Sequence, residues 1–224
     1  MKEYDAATDF WNQEYGKCRL EDLTGEILEV EPAFDACLKI FSEKCKTVLD
    51  FGCGTGDILF QCKKFGNLSY GMGIDLSKQG IDYAGKMVNL NHIRNMDFVT
   101  GDVSLLTQME EKSFDGIIIS NVLDTVPQKD AMQILEESTR LLKNQGLMFI
   151  KLNPDYSSEI LKHYGYTNIR GNLYQSDGIL RLRRMNSASW KELFQKKFEI
   201  IRYLEFPYPW QPGMNRLFLL RKLL

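Results

Sequence analysis

The stretch that decides the fold is VLDFGCGTGD, residues 48–57 of the 224-residue chain. A short apolar run ends in an acid, Asp50, and three glycines then alternate with other residues before a second acid, Asp57. Glycines spaced in this way after a buried strand indicate a turn whose backbone approaches a ligand closely. The surrounding residues then decide between a phosphate, a dinucleotide and a ligand of another kind.

Strand and helix patterns alternate outward from this turn, and a helical pattern at 33–41 precedes it. Strands are predicted at 47–51, 70–76, 98–102, 114–119 and 147–152, and helices at 57–65, 78–91 and 130–143. This alternation with short links predicts a mostly parallel sheet covered by helices on both faces. In such a sheet, ligands bind beyond the carboxyl ends of the strands, where the glycine turn lies.

The alternation ends after Pro154. We expect a hairpin between 173–175 and 179–183, because the Asp177-Gly178 pair favours a tight turn. A helix at 189–197, capped by Ser187 or Ser189, and strands at 198–206 and 217–220 are predicted to complete the chain.

Composition narrows the class of protein. The formal net charge is -2, so no basic field attracts nucleic acid, and a nucleic-acid partner is disfavoured. The five cysteines are scattered and form no C-x-x-C pair, which indicates free thiols in a reducing compartment. The chain starts without a secretory pattern and has no run long enough for a membrane helix. We therefore expect a cytoplasmic protein without a metal, a membrane contact or a disulfide.

The acids around the turn argue against a phosphate. A phosphate-binding loop needs a lysine after its last glycine, whereas Gly56 is followed by Asp57. A dinucleotide fingerprint would carry its third glycine where Asp57 stands, although Asp75 lies at the right distance for a ribose. Acids end all three of the first strands, at Asp50, Asp75 and Asp102, and this set favours a positively charged ligand that bears a ribose.

Four motifs together resemble the class I S-adenosylmethionine-dependent methyltransferases. They are, in order, VLDFGCGTGD, GIDLS, FVTGDV and FDGIIISNVLDTVP. The resemblance covers residues 46–153, and the two C-terminal strands match the antiparallel tail of that family. It implies an α/β fold of the Rossmann-like type, a three-layer sandwich around a mostly parallel seven-stranded sheet with an antiparallel last strand. It implies a single domain with a helical N-terminal cover (1–45), a cofactor-binding core (46–153), a lid insertion (155–186) and a C-terminal part (187–224).

The resemblance also implies a cofactor, S-adenosyl-L-methionine, and a role for each matching residue. Asp50 is expected to help hold the ammonium of the cofactor, Asp75 its ribose hydroxyls and Asp102 its adenine amino group. Leu76 and Val103 are expected to sandwich the adenine, and Ser120 or Asn121 to offer a carbonyl to the ammonium. The other expected cofactor neighbours are Gly52, Cys53, Gly54, Gly56, Trp11 and Tyr15.

Each of these residues also has a structural interpretation. Asp50 would then be a turn former and Asp75 a helix cap ahead of Ser77, while Trp11 and Tyr15 would belong to an aromatic stripe that packs on the sheet. Three acids at three consecutive strand ends above one glycine turn favour the binding interpretation.

The expected activity is methyl transfer to a small molecule by in-line displacement, in a monomer or homodimer. The alternatives are an NAD(P)-dependent oxidoreductase and a non-catalytic protein that binds S-adenosylmethionine. No catalytic residue is identified by its pattern; Tyr15 and His163 are the candidates, and the former lies in the N-terminal cover. Asn153-Pro154-Asp155-Tyr156 is similar to a motif of amino-group methyltransferases but follows the wrong strand. Arg181, Arg183 and Arg184 are interpreted as part of a half-buried strand, with an acidic substrate as the alternative.

Overall fold

The computed structural model describes residues 2–26, 28–66 and 68–224, and side chains from residue 5 onward. Its helices are α1 (Lys2–Tyr15), α2 (Pro32–Lys44), α3 (Asp57–Phe65), α4 (Lys78–Leu90), α5 (Val103–Gln108), α6 (Gln128–Leu141), α7 (Ser158–His163) and α8 (Ser187–Gln195). Its strands are β1 (Thr47–Phe51), β2 (Tyr70–Asp75), β3 (Met96–Thr100), β4 (Phe114–Ser120), β5 (Leu142–Leu152), β6 (Thr167–Arg170), β7 (Leu173–Ser176), β8 (Ile179–Arg183), β9 (Phe198–Tyr208) and β10 (Gln211–Lys222).

Seven strands form the main sheet in the order β3-β2-β1-β4-β5-β10-β9. The first five pair in parallel, and β10 runs antiparallel to both β5 and β9. The predicted fold, with its antiparallel last strand, is confirmed. Since the strand order reverses between β1 and β4, the carboxyl ends of these two strands flank the crevice where such sheets bind ligands.

Side chains that alternate along each strand fill two separate cores. Val48 of β1 packs into a core with α2, α3 and α4, whereas its neighbour Leu49 packs into a core with α6 and α8. A central strand covered on both faces is therefore apolar throughout, which is the pattern that FDGIIIS shows in β4. The result is a three-layer arrangement with helices on both sides of the sheet.

The segment between β5 and α8 forms a small unit of its own. It contains α7 and a separate antiparallel sheet in the order β6-β7-β8. The hairpin predicted through Asp177-Gly178 is present, with both residues at positive φ. A small cluster of Tyr156, Leu161 and Leu182 holds this unit together.

Several predicted boundaries were wrong. The helix expected to reach residue 143 ends at Leu141, and β5 begins at Leu142, five residues early, because Leu142 is buried and pairs with Phe114. The helix expected at 189–197 begins at Ser187, and its cap is Asn186, whose side chain accepts from Ser189 N. The helix expected to end at residue 91 ends at Leu90, and β2 ends one residue before the predicted strand.

Other elements were predicted too short or were not predicted at all. The third strand begins two residues earlier than expected, and both C-terminal strands are longer. The short elements α5, α7 and β6 were not predicted, since none carries a clear periodic pattern. Within the described ranges, no helix is both long and apolar enough to cross a lipid bilayer.

Candidate functional site

The glycine turn after β1 directs its backbone N–H groups into the protein. Gly52 N and Cys53 N donate to Ile74 O at 2.7 and 3.1 Å, and Gly56 N donates to Cys53 O at 2.9 Å. Gly54 N donates to Asp75 Oδ2 at 2.8 Å. Loops that grip phosphates leave such N–H groups free to point at the ligand. In this turn the N–H groups already donate to oxygen atoms of the protein, so its geometry does not suit a pyrophosphate.

The turn needs glycine at its centre for two reasons. Gly54 has φ +55°, in the left-handed region, and a Cβ there would lie 2.6 Å from Tyr15 Oη. Any other residue would be strained and would displace the tyrosine. Tyr15 also lies against Gly80, so the end of α1 is seated directly on the turn and on the start of α4.

Asp50 is the most unusual residue of the site. Its carboxylate is 1% exposed, and neither oxygen has a hydrogen-bond partner among the described residues. Burial raises its pKa well above the usual range, and the charges of Asp75 and Asp57 raise it further. A buried carboxyl group without a hydrogen-bond partner is costly, which makes Asp50 a candidate for contact with a ligand.

Asp75 lies next to the turn at the end of β2. Its Oδ2 accepts from Gly54 N at 2.8 Å and its Oδ1 from Ser77 N at 2.7 Å. Ser77 itself caps α4, so Asp75 is not the cap that the structural interpretation proposed. Burial raises the pKa of Asp75, and these two backbone bonds oppose the rise. A carboxylate offers about four acceptor positions, so two remain for a ligand.

Asp102, at the end of β3, does cap a helix. It is the N-cap of α5 and accepts from Ser104 N at 2.8 Å. A hydrogen bond with the Ser104 side chain, and then this backbone bond, lower the pKa of Asp102. Leu76 is 39% exposed at the end of β2, and Val103 is partly buried after β3. Apolar side chains thus stand shortly after both strands.

The end of β4 is joined to β5 by Asn121. Its φ of 55° is unusual for a residue other than glycine. Its N–H donates to Lys151 O at 2.8 Å, its Oδ1 accepts from Lys151 Nζ at 3.0 Å, and its carbonyl already accepts from Thr125 Oγ1 at 3.0 Å. The carbonyl of Asn121 is thus already engaged within the fold, and Ser120 is the other candidate.

Lys151 was missed by the sequence analysis. It lies at the carboxyl end of β5, is 2% exposed, and its ammonium lies 4.9 Å from the centre of the Tyr208 ring. Burial lowers its pKa to about 8, and the negative charge of Asp124 opposes this shift. The signal available in the sequence was a lysine inside the otherwise apolar run LMFIKL at a strand end.

A cavity of about 600 Å³ opens beside these residues. Its floor includes Ser120, Asn121 and Lys151, and α3 contributes Asp57 and Gln61. The other walls come from the segment 18–30, from α2 and α4 and from the β9–β10 turn; they include Arg19, Glu21, Leu28, Glu29, Phe34, Tyr83, Tyr208 and Trp210. Asp57 is held by Thr55 Oγ1 at 2.7 Å, and burial raises its pKa. A volume of this size suits a small organic molecule.

The N-terminal helix closes the other side of the turn. Trp11 stacks on Tyr15, with ring centroids 5.3 Å apart, and Asn12 Oδ1 accepts from Ser77 Oγ at 2.8 Å. Burial raises the pKa of Tyr15, and Asp75 raises it further, so its hydroxyl stays protonated. Arg181 of β8 stacks on Phe10, 3.8 Å from the ring centre. The helix is thus fixed to α4 on one side and to the small sheet on the other.

The remaining residues that the sequence analysis singled out contact other parts of the fold. His163 is exposed, packs edge-on against Tyr164 and does not line the cavity. Arg183 is buried and donates to Leu123 O at 2.7 Å, whereas Arg184 pairs with Asp155. Asn153 N donates to Asp124 Oδ2 at 2.7 Å, so the NPDY segment is engaged in the fold.

A seven-stranded sheet of this order, with a glycine turn after β1 and acids at successive strand ends, defines a Rossmann-like methyltransferase fold. The chain belongs to the family of methyltransferase domains, whose family model matches residues 42–199. This confirms the resemblance drawn from the four motifs. The family uses S-adenosylmethionine, as predicted for the cofactor.

Relatives within this family differ in what they act on. The chain is 30% identical over 112 residues to a ubiquinone biosynthesis O-methyltransferase of Neisseria meningitidis, covering 49% of this chain and 46% of the relative. It is 29% identical over 160 residues to a ribosomal protein L11 methyltransferase of Thermotoga petrophila, covering 71% and 53%. The chain spans about half the length of the curated relatives it matches.

The fold is shared with magnesium protoporphyrin IX methyltransferase of Synechocystis, solved with bound S-adenosylhomocysteine. The TM-score is 0.66 at 18% identity, and the match covers 99% of this chain and 97% of the other. At this identity, the likeness supports the fold alone.

Proposed function

We propose that this protein binds S-adenosylmethionine and transfers its methyl group to a small-molecule acceptor. The observation that carries the proposal is Asp50, a buried carboxylate with no partner in the described structure, behind a turn whose N–H groups are already committed. The ammonium of a methionyl group satisfies such a carboxylate, whereas a pyrophosphate would be repelled by it. When bound, S-adenosylmethionine supplies a methyl group on a sulfonium, which leaves behind a neutral thioether.

The other strand ends supply the remaining contacts in this proposal. The free acceptor positions of Asp75 would take the ribose hydroxyls, and Asp102 and the N–H of Val103 would take the adenine edge. Leu76 and Val103 would cover its faces, and Ser120 would add a carbonyl to the ammonium. Tyr15 and Trp11 would cover the methionyl part, with Gly52, Cys53, Gly54 and Gly56 below it.

The acceptor is proposed to be a small molecule because the cavity beside Ser120 and Asn121 is a recess of about 600 Å³ with aromatic walls. In-line methyl transfer depends mainly on alignment and on the exclusion of water, which a recess provides. Five free thiols support the proposal of a cytoplasmic protein, and a monomer or homodimer is kept as its assembly.

Calorimetric titration with S-adenosylhomocysteine and, separately, with NADH tests the cofactor. We expect the first to bind and the second not to bind. Tight NADH binding with no response to S-adenosylhomocysteine would favour the oxidoreductase alternative. Transfer of isotope-labelled methyl groups into a metabolite extract then tests catalysis: a labelled product supports an enzyme, and cofactor binding without any labelled product would favour a non-catalytic binder.

A further inference from the structure

Lys151 is a buried cation at the edge of the cavity. It is 2% exposed, it lines the cavity with Ser120 and Asn121, and one face of the Tyr208 ring lies beneath its ammonium. An ammonium group has three donors. Within the part of the chain that the structure describes, Nζ donates one hydrogen bond, to Asn121 Oδ1 at 3.0 Å.

The nearby carboxylate is engaged elsewhere. Asp124 is fully buried and accepts from Asn153 N at 2.7 Å, and it lies 3.9 Å from the guanidinium of Arg216. Among the described residues, no carboxylate oxygen comes within 4.0 Å of Lys151 Nζ. The attraction of Asp124 to Lys151 acts at longer range.

A buried charge is normally paired and fully hydrogen-bonded, because its transfer from water is costly. Lys151 has donors to spare and faces a cavity. Resting on the function proposed above, we propose that Lys151 holds an anionic oxygen of the methyl acceptor, which is therefore a small organic anion such as a carboxylate or a phenolate.

The walls of the cavity describe the rest of this acceptor. Tyr208 and Trp210 stack with centroids 4.4 Å apart at the β9–β10 turn, and Trp210 is 66% exposed at the mouth. Phe34, Phe60 and Tyr83 add aromatic surface. The acidic lining residues, Asp57, Glu21 and Glu29, belong to α3 and the segment 18–30, which also carries Arg19. Lys151 is the cation that β5 contributes, and unlike Arg19 it is buried. The acceptor would thus combine an apolar body with an anionic oxygen directed at β5.

Benzoate and its neutral analogue benzamide are suitable probes, titrated by ligand-observed NMR into protein saturated with S-adenosylhomocysteine. We expect benzoate to bind about tenfold or more tightly than benzamide, since hydrogen bonds to a charged group have this scale. Lys151→Met should abolish this preference, with S-adenosylhomocysteine affinity changed less than about twofold. The matched control is Lys143→Met, at the other end of the same strand, where the lysine is half-buried and pairs with Asp115.

Three outcomes would overturn the proposal. The first is equal binding of benzamide and benzoate to the wild-type protein, a comparison that does not depend on the folding of Lys151→Met. The second is equal binding of benzoate to Lys151→Met and to the wild type. If Lys151→Met weakens S-adenosylhomocysteine instead, Lys151 serves the cofactor carboxylate and not the acceptor. A wild-type protein that fails to bind S-adenosylhomocysteine refutes the proposed function, and the two probes titrated without it then test the anion site alone.

Discussion

At the scale of single residues, the carboxylates at the strand ends fall into two groups. Asp75 and Asp102 are held by backbone N–H groups, which orient them before any ligand arrives. Asp50 has no such support and is fully buried. Asp75 and Asp102 are thus held in place by the fold itself, whereas the buried Asp50 is costly without a partner, and the proposed ammonium would offset that cost.

The raised pKa of Asp50 predicts that a proton is released when the cofactor binds. Burial raises its pKa in the free protein, and a bound ammonium would lower it, so Asp50 gives up protons as the complex forms. Calorimetry with S-adenosylhomocysteine in phosphate and in Tris buffer should therefore give different apparent enthalpies. Asp50→Asn should remove this difference and weaken binding, and a buffer dependence that persists in the variant would contradict the assignment.

The same shift has a consequence for folding. Because the pKa is higher in the folded than in the unfolded state, the unfolded chain binds fewer protons, and stability falls as pH rises from the unfolded value of about 3.9 through the folded value. Asp50→Asn should lessen this fall. Urea unfolding at acidic and neutral pH measures it, and an unchanged pH dependence in the variant would argue against the raised pKa.

The proposed ribose contact predicts that loss of the Asp75 side chain weakens cofactor binding and leaves the protein folded. Asp75→Ala should weaken S-adenosylhomocysteine by about 1.5–3 kcal/mol, the scale of hydrogen bonds to a charged group. The matched control is Asp82→Ala on α4, where the aspartate forms an exposed pair with Lys78 and should leave affinity unchanged. Equal affinities of Asp75→Ala and wild type by calorimetry would refute the ribose role.

At the scale of elements, α1 contacts α4 on one side and the small sheet on the other, in addition to the contact of Tyr15 with the glycine turn. Asn12 bonds to the start of α4, and Phe10 packs under Arg181 of β8. Arg181 therefore connects the small three-stranded sheet to the helix that covers the glycine turn. The interpretation of these arginines as part of a half-buried strand holds for Arg181, whereas Arg183 is buried and Arg184 follows the end of β8.

Arg181→Gln should loosen α1. The stacked guanidinium contributes about 0.5–1 kcal/mol at an exposed site, which corresponds to roughly twofold to fivefold faster opening. Amide hydrogen exchange over residues 5–15 should rise by this factor, with Arg170→Gln on the exposed strand β6 as the control. Exchange that rises equally in both variants would assign the effect to the small sheet as a whole.

Element patterns also explain how far the sequence could be interpreted. The positions of Asp50 and Asp75 at the carboxyl ends of β1 and β2 were predictable to within about one residue, because a buried parallel strand is a mostly apolar run and the ligand-binding end follows it. The start of β5 was not, since Leu142 continues the helical spacing of α6 and only its pairing with Phe114 makes it a strand. The cavity was beyond prediction because Lys151, Tyr208 and the segment 18–30 meet only in the tertiary structure.

At the scale of the whole molecule, Arg216 of β10 ties distant segments together near the site. It is 2% exposed; its Nε donates to Asn153 O at 2.9 Å and its Nη1 to Met185 O at 2.7 Å. Its Nη2 lies 3.9 Å from Asp124 Oδ2. One guanidinium thus joins the end of β5, the segment before α8 and the loop after β4, which is the loop that carries Asn121.

Arg216→Met should destabilise the whole fold and not merely the C-terminal strand. The substitution leaves two carbonyls without a donor and Asp124 buried without its cation, and breaking a buried pair in this way costs about 3–5 kcal/mol. Urea unfolding should show this loss in one cooperative transition. The control is Arg221→Met, five residues further along β10, where loss of a solvent-accessible pair with Glu199 at 3.4 Å should cost less than about 1 kcal/mol. Equal losses of stability in the two variants would mean that the fold depends on the packing of β10 and not on the buried charge of Arg216.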